Sequence, residues 1–292
     1  MPSRVRVLFL TIAIVVFAAS AGAEVLCRTR SGTVKIRDAC RKKETPVDLA
    51  QIGVAPPDTP DQVRAKFFAG TACPGNDPAD VMVRVGGLCV DVFEASVWSE
   101  PAGGTQFGVE NADYPCQIDG DDCTAIYARS VASVLPARYI TWFQAQQACR
   151  NAGKRLLTNA EWQSAAAGTP DPGPAGDGLT TCNTNTTAPK VTGSSATCVS
   201  AAGVRDMVGN VWEWVAEWEQ AGISCTDWGA FSDDAMCLSL LQTSGAGIAL
   251  DPPGGPARGG NWDYRNAAGV FAVDASVDVT SPYVSYGFRC TR

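Results

Sequence analysis

Hydrophobic and polar positions alternate in short bursts along this chain rather than in long amphipathic runs. After the Ser31-Gly32 turn, Val34 and Ile36 alternate with polar residues between Cys27 and Cys40, which predicts a small hairpin. Val81 to Val85 and Leu88 to Phe93 flank Gly86-Gly87, a second hairpin signal. A helical period shows in two places. Thr141 can cap a helix over Trp142 to Asn151 that sets Phe143, Ala145, Ala148 and Cys149 near one face, with Gly153 as its stop. Thr158 can cap another, because Glu161 three residues later completes a capping box and Ala160, Trp162 and Ala165 to Ala167 follow. Val211 to Trp218 is a short aromatic segment, and short strands close the chain. The stretches 99–125, 169–205 and 222–256 carry turn and loop residues and are expected as loops. Few helices, short strands and many loops make an α+β fold.

The ends of the pattern set the organisation. Arg4 and Arg6 precede a thirteen-residue apolar run, Val7 to Ala19, and Ala21-Gly22-Ala23 follows. That is the layout of a cleaved export signal, and the run is short for a membrane span. The expected domains are a signal peptide at 1–23, a small disulfide hairpin module at 24–50, a linker at 51–68 containing Val54-Ala55-Pro56-Pro57-Asp58-Thr59-Pro60, and one larger domain at 69–292. The chain is therefore expected in the periplasm or outside the cell, with no transmembrane segment.

Composition narrows the chemistry. There are 12 cysteines and no histidine among 292 residues. Catalysis by a Ser-His-Asp or Cys-His pair and any His-ligated metal are excluded. An even cysteine count after an export signal points to up to six disulfides. Close spacing suggests Cys27–Cys40, Cys73–Cys89, Cys116–Cys123, Cys182–Cys198 and Cys225–Cys237, leaving Cys149 and Cys290 far apart; spacing alone does not fix connectivity. No C-x-x-C pair exists, which argues against a thiolate metal site. Lys and Arg number 23 against 30 Asp and Glu, a formal net charge of −7. Seven of the basic residues crowd into 24–45, so the body of the chain is strongly acidic and unsuited to nucleic acid. The basic stretch either meets an anionic surface or is a solvated face.

Four motifs in sequence carry a family likeness: Tyr139-Ile140-Thr141-Trp142-Phe143-Gln144-Ala145 through Cys149; Gly153-Lys154-Arg155-Leu156-Leu157-Thr158-Asn159-Ala160-Glu161-Trp162; Gly203-Val204-Arg205-Asp206-Met207-Val208-Gly209-Asn210-Val211-Trp212-Glu213-Trp214; and Arg258-Gly259-Gly260-Asn261-Trp262, ending in Gly287-Phe288-Arg289-Cys290. Together they resemble the formylglycine-generating enzyme, or sulfatase-modifying factor, family over roughly 70–292. The resemblance implies a C-type-lectin-like fold, loop-rich and disulfide-tied. The tryptophans are most simply core aromatics, and Lys154 and Arg155 can pair with carboxylates at the helix junction.

The residues and the family together point to one metal. Two carboxylates and nearby carbonyls on a tight Gly-Asn turn suit an oxygen-seeking cation. The resemblance implies structural calcium held by the side chains of Asp206 and Glu213 and the backbone oxygens of Gly209 and Val211, with Asp206 standing where the family has Asn. The rival is a capped turn with Glu213 bonded to backbone. Copper is not expected: the family's oxidases hold it with two close cysteines after the Gly-Gly-aromatic motif, and 259–289 contains none. By the same resemblance Cys290 pairs with Cys149. Related iron-dependent sulfoxide synthases need histidine.

The segment that replaces the catalytic stretch is rich in Tyr, Ser, Asn and Asp around Val270, Phe271 and Val273, the composition of adaptable recognition surfaces. It resembles the variable region of retroelement-diversified C-type-lectin proteins. Asp263, Tyr264, Asn266, Tyr283, Ser285 and Tyr286 are the expected contacts, and the expected function is binding of an extracellular protein or glycan ligand. The alternative is an oxidase of the formylglycine-generating type acting on a protein. A third reading is a structural surface protein attached through its basic hairpin.

Overall fold

The structure is a computed structural model that describes residues 25–28, 34–37, 41–43, 45–46, 73, 79–170, 181–219, 224–239 and 253–292. The chain divides into two compact units, Met1–Asp58 and Thr59–Arg292. In the first, β1 (Val25–Arg28), β2 (Val34–Arg37) and β3 (Thr45–Pro46) form an antiparallel sheet of order β2-β1-β3. The hairpin legible from Val34 and Ile36 is therefore present. The expected signal segment, the linker at 51–68 and the Cys27–Cys40 bridge lie outside the described residues.

The second unit runs through β4 (Met82–Val85), β5 (Leu88–Asp91), β6 (Ser96–Glu100), β7 (Gly103–Phe107) and β8 (Tyr127–Arg129) to helix α1 (Trp142–Asn151). Then come β9 (Arg155–Leu156), α2 (Asn159–Ala166), β10 (Trp212–Trp214), β11 (Ser224–Asp227) and β12 (Ala235–Ser239). The last four strands are β13 (Ala257–Arg258), β14 (Val273–Asp274), β15 (Tyr286–Phe288) and β16 (Cys290–Thr291). They pair as sheets β4-β5-β16-β9, β7-β6-β8 and β11-β12-β14-β13-β10-β15. The long sheet is mixed: β10 runs parallel to β15 and β12 parallel to β14.

Local chemistry sets the elements. Gly86, at φ 58°, turns β4 into β5 so that Val85 faces Leu88. Both helices start in full capping boxes. The Thr158 hydroxyl accepts from Glu161 N at 3.2 Å while Thr158 N donates to Glu161 Oε2 at 2.9 Å. Thr141 makes the same exchange with Gln144. Helix α1 buries Trp142, Gln144, Ala145, Ala148 and Cys149, while Phe143 is half-buried with its ring edge against Trp142 and Trp218. Lys154 and Arg155 do pair at the helix junction. Lys154 Nζ reaches Asp91 and Asp80 at 2.8 and 2.5 Å, and Arg155 makes a two-bond pair with Glu161.

Two expected loops contain strands. In 99–125, β7 lies beside β6 because Gly103 and Gly104 adopt φ 133° and 88°, a turn geometry open to glycine. In 222–256, β11 and β12 pair although their side chains show no clean alternation, since the Cys225–Cys237 bridge and the backbone ladder hold them.

The core gathers around Trp162, Trp212, Trp214, Phe288 and Leu156, all fully buried. Five disulfides lie among the described residues: Cys73–Cys89, Cys116–Cys123, Cys149–Cys290, Cys182–Cys198 and Cys225–Cys237. Among the described residues no cysteine is free and no helix is long and apolar enough to cross a membrane. Five bridges fit an oxidising compartment.

The Cys149–Cys290 bridge ties α1 to β16 across 141 residues of sequence. Its removal by a double serine substitution is expected to cost about 2–5 kcal/mol, read from the urea midpoint. The Arg155 pair, aided by Thr158, holds the Glu161 carboxyl down from its usual 4.5 to about 2. A depressed folded-state value contributes stability that is present above pH 4.5 and lost as pH falls toward 2. Glu161→Gln is therefore expected to flatten that acid limb in a pH series of thermal melts.

Candidate functional site: an aromatic-backed C-terminal surface

Strand β15 lies parallel to β10, with Trp212 opposite Tyr286 and Trp214 opposite Phe288. This register stacks Tyr286 on Trp212 at 6.2 Å and tilts it onto Trp214 at 4.7 Å. Tyr286 is buried, and its hydroxyl donates to Asp274 Oδ2 at 2.7 Å. Burial, reinforced by the Asp274 carboxylate, pushes its phenol well above the usual range. The expectation that Tyr286 contacts ligand is thereby corrected: its ring is part of the core, because the parallel register turns it inward.

Two other expected contacts lean on this buried pair from either side. Tyr264, half-buried, sets its ring edge-on to Trp212 at 5.1 Å, and Tyr283, 47% exposed, tilts over Tyr286 at 5.8 Å. Tyr264, Trp212, Tyr286 and Tyr283 thus form one aromatic relay with its ends at the surface. Asp263 is exposed beside Tyr264, its N–H closing a turn on Asn261 Oδ1 at 3.2 Å. Ser285 is half-buried, and its carbonyl accepts from Trp212 N at 2.8 Å. The structure brings Asp263, Tyr264, Tyr283 and Ser285 to this relay. Asn266 turns elsewhere, donating through Nδ2 to Asp233 Oδ2 at 3.1 Å.

Asp233 belongs to the β11–β12 hairpin, whose part in this surface the sequence reading missed. Trp228 Nε1 donates to Phe271 O at 3.1 Å, and Phe271 N donates to Asp234 Oδ2 at 2.7 Å. Phe231 stacks edge-on against Phe271 at 4.9 Å and is 68% exposed. The available signal was two aromatics inside a twelve-residue cysteine spacing, an arrangement that a plain loop does not require.

The predicted calcium residues meet in the interior. Asp206 takes a left-handed φ of 57°, and its Oδ2 accepts from Gly193 N at 2.6 Å. Burial raises its carboxyl to about 6 against the pull of that N–H and of Arg289. Glu213 Oε1 accepts from Arg289 Nη2 at 2.5 Å, and Oε2 accepts from Arg289 Nε and Trp162 Nε1, each at 2.7 Å. A third carboxylate, not anticipated, completes the group. Glu94 accepts from Asn210 Nδ2 at 2.5 Å and Val211 N at 3.2 Å, and burial with Asp206 and Glu213 nearby pushes it well up. Both Glu213 oxygens are committed to donors, and the Arg289 guanidinium already supplies the positive charge against that carboxylate. The set Asp206, Gly209, Val211 and Glu213 therefore does not fit calcium in this arrangement. Glu213 is also not the backbone-bonded cap of the rival reading, since its partners are side chains. A separate acidic and sulfur group, Cys116, Asp122 and Cys123, has its two sulfurs joined in a disulfide.

The fold is that of a disulfide-tied, C-type-lectin-like α+β domain, with the aromatic relay at its C-terminal segment. Residues 115–292, more than half of the chain, match the model of the Sulfatase-modifying factor enzyme 1-like domain, and the chain belongs to that family. It is similar to the serine/threonine-protein kinase Pkn1 of Chlamydia trachomatis serovar L2, 30% identical over 171 residues, which is 54% of this chain and 24% of the kinase. It is also similar to the hercynine oxygenase of Mycolicibacterium thermoresistibile, 33% identical over 91 residues, covering 28% of this chain and 20% of the oxygenase. The chain thus spans about a quarter of the kinase and a fifth of the oxygenase. Among solved structures, the P3c variant of the Major Tropism Determinant aligns over 92% of this chain and 71% of its own, at a TM-score of 0.46 and 19% identity.

Replacing Arg289 by Met leaves Glu213 buried without its cation and is expected to cost about 3–5 kcal/mol, read from the urea midpoint. Calcium or EDTA is expected to leave the midpoint of the unaltered protein unmoved; a calcium-dependent midpoint would reinstate the metal.

Proposed function

We propose that this chain is an exported ligand-binding member of its family, displaying the surface of Asp263, Tyr264, Tyr283 and Ser285 to an extracellular protein or glycan. One observation carries the reading. The segment between Gly259-Gly260 and Arg289 contains no cysteine, and Cys290, the nearest to it in sequence, is bridged to Cys149. The thiol pair on which the oxidase reading depends thus has no residues to form it there. What fills the segment is exposed aromatic and short polar side chains backed by a rigid aromatic relay. Preorganised rings with hydrogen-bonding neighbours are the composition of recognition surfaces. The apolar run Val7 to Ala19 and the five bridges support export.

Titration of the purified, non-reduced chain with a thiol reagent is expected to find no free thiol, and copper analysis no bound copper. A stoichiometric thiol pair binding copper would return the oxidase reading. Screening the chain against glycan and exported-protein arrays should identify a ligand whose affinity falls about tenfold or more in Tyr283→Ala and Asp263→Ala. Unchanged binding in both would remove this surface as the site.

A further inference from the structure

The β11–β12 hairpin carries a feature that the core does not use. Trp228 and Phe231 are 38% and 68% exposed, their rings lie 6.3 Å apart, and Phe231 continues onto the half-buried Phe271. Clustered aromatic rings left in water mark an interaction surface more often than scattered ones do. The cluster is rigidly mounted. The Cys225–Cys237 bridge closes the hairpin, Trp228 N donates to Ser232 O, and Phe231 N donates to Trp228 O. Pairing of β12 with β14 and the Trp228 Nε1 to Phe271 O bond fasten it to the C-terminal segment. The Asn266 to Asp233 hydrogen bond makes it continuous with the surface described above.

Charge selects the occupant. Asp227 adjoins Trp228, Asp233 follows two residues after Phe231, and Asp263 is the next exposed acid on the C-terminal segment, whereas Arg265 is the one exposed cation among the described residues of 224–239 and 261–286. Among the described residues neither Asp227 nor Asp233 is in an ion pair. Ring faces attract cations, and a flanking carboxylate adds to that attraction while repelling anions. The chain itself lays Arg258 over the Trp162 ring at 4.8 Å and Arg138 over Tyr139 at 5.1 Å.

We propose that the Trp228–Phe231–Phe271 cluster, with Asp227 and Asp233 beside it, docks the arginine- and lysine-rich segment of a protein partner. The inference rests on the ligand-binding reading and gives it a partner class. A neutral glycan would gain nothing from the acidic flank, and an anionic one would be repelled.

The test uses the purified full chain with its bridges intact, and as probe a fluorescein-labelled arginine- and lysine-rich peptide beside its glutamate-substituted counterpart. The cationic peptide is expected to bind with an affinity that falls as salt rises, and the glutamate peptide not to bind. Phe231→Ser and Trp228→Ser should each weaken binding about tenfold. Asp227→Asn keeps an oxygen for the Gly229 N–H turn bond and should flatten the salt dependence without changing the melt. Equal binding of both peptides, a preference for the glutamate peptide, or Phe231→Ser binding like the unaltered chain at an unchanged melt would each overturn the inference. Failure of the cationic peptide to bind, with an array ligand still lost in Tyr283→Ala, sinks this partner class and leaves the ligand-binding reading standing. Loss of neither kind of binding in any of these variants sinks both.

Discussion

A single buried guanidinium holds the architecture in register. Arg289 spends its donors on Glu213 twice, on the carbonyls of Asp91 and Val92, and on the carbonyl of Arg205. Those partners come from the end of β5, from the loop entering Asp206 and from strand β10, which lies beside β15. Three segments distant in sequence are thereby fixed to the last strands of the chain. The pair is fully desolvated, so its worth depends on every donor finding an acceptor, and here the guanidinium's geometry meets that demand. Trp162 Nε1 donates to the same carboxylate, which brings helix α2 into the arrangement.

The consequence is electrostatic as well as geometric. Glu94, Asp206 and Glu213 lie together around one arginine, an excess of negative charge that burial makes costly. Where a divalent ion would balance such a group with two charges, this chain supplies one from Arg289 and hydrogen bonds from Asn210, Gly193 and Trp162. The turn at Gly209-Asn210, both in left-handed conformation, places the Asn210 donor; at Gly209 a side chain would collide with the Asn183 backbone. The turn chemistry that suggested a cation site is real, but it serves a side-chain network.

Much of this was legible from residue order. The capping boxes at Thr158 and the Gly86-Gly87 hairpin are encoded within four or five residues, so local chemistry suffices to find them. The close cysteine spacings correspond to bridges observed at Cys73, Cys116, Cys182 and Cys225 with their partners. What escaped depends on distant partners. Tyr286 looks like a surface tyrosine until a parallel register with β10 turns it inward onto Asp274. Glu213 looks like a metal ligand until Arg289, 76 residues on, occupies it. The β11–β12 hairpin lacks an apolar–polar alternation in sequence because only β12 buries side chains, Ala235 and Cys237, while the exposed β11 is held by the bridge and the ladder. Glu94 had no motif at all, and its role comes from its approach to Asn210 and Val211, more than a hundred residues on.

The C-terminal segment packs inward with one set of side chains and faces outward with another. Asp274 and Tyr286 close the interior with Trp212 of β10, while Asp263 and Tyr283 project from the segment and Trp228 and Phe231 from the neighbouring β11–β12 hairpin. The inward set is fixed by packing, stacking and the Tyr286 to Asp274 hydrogen bond, so changes there propagate to the Arg289 network through β10. The outward side chains lie apart from that network: Tyr283 tilts over Tyr286, Phe231 meets Phe271 edge-on, and Trp228 donates to Phe271 O. The outward side chains can therefore vary with little effect on the scaffold, because the backbone beneath them is fixed by the inward packing.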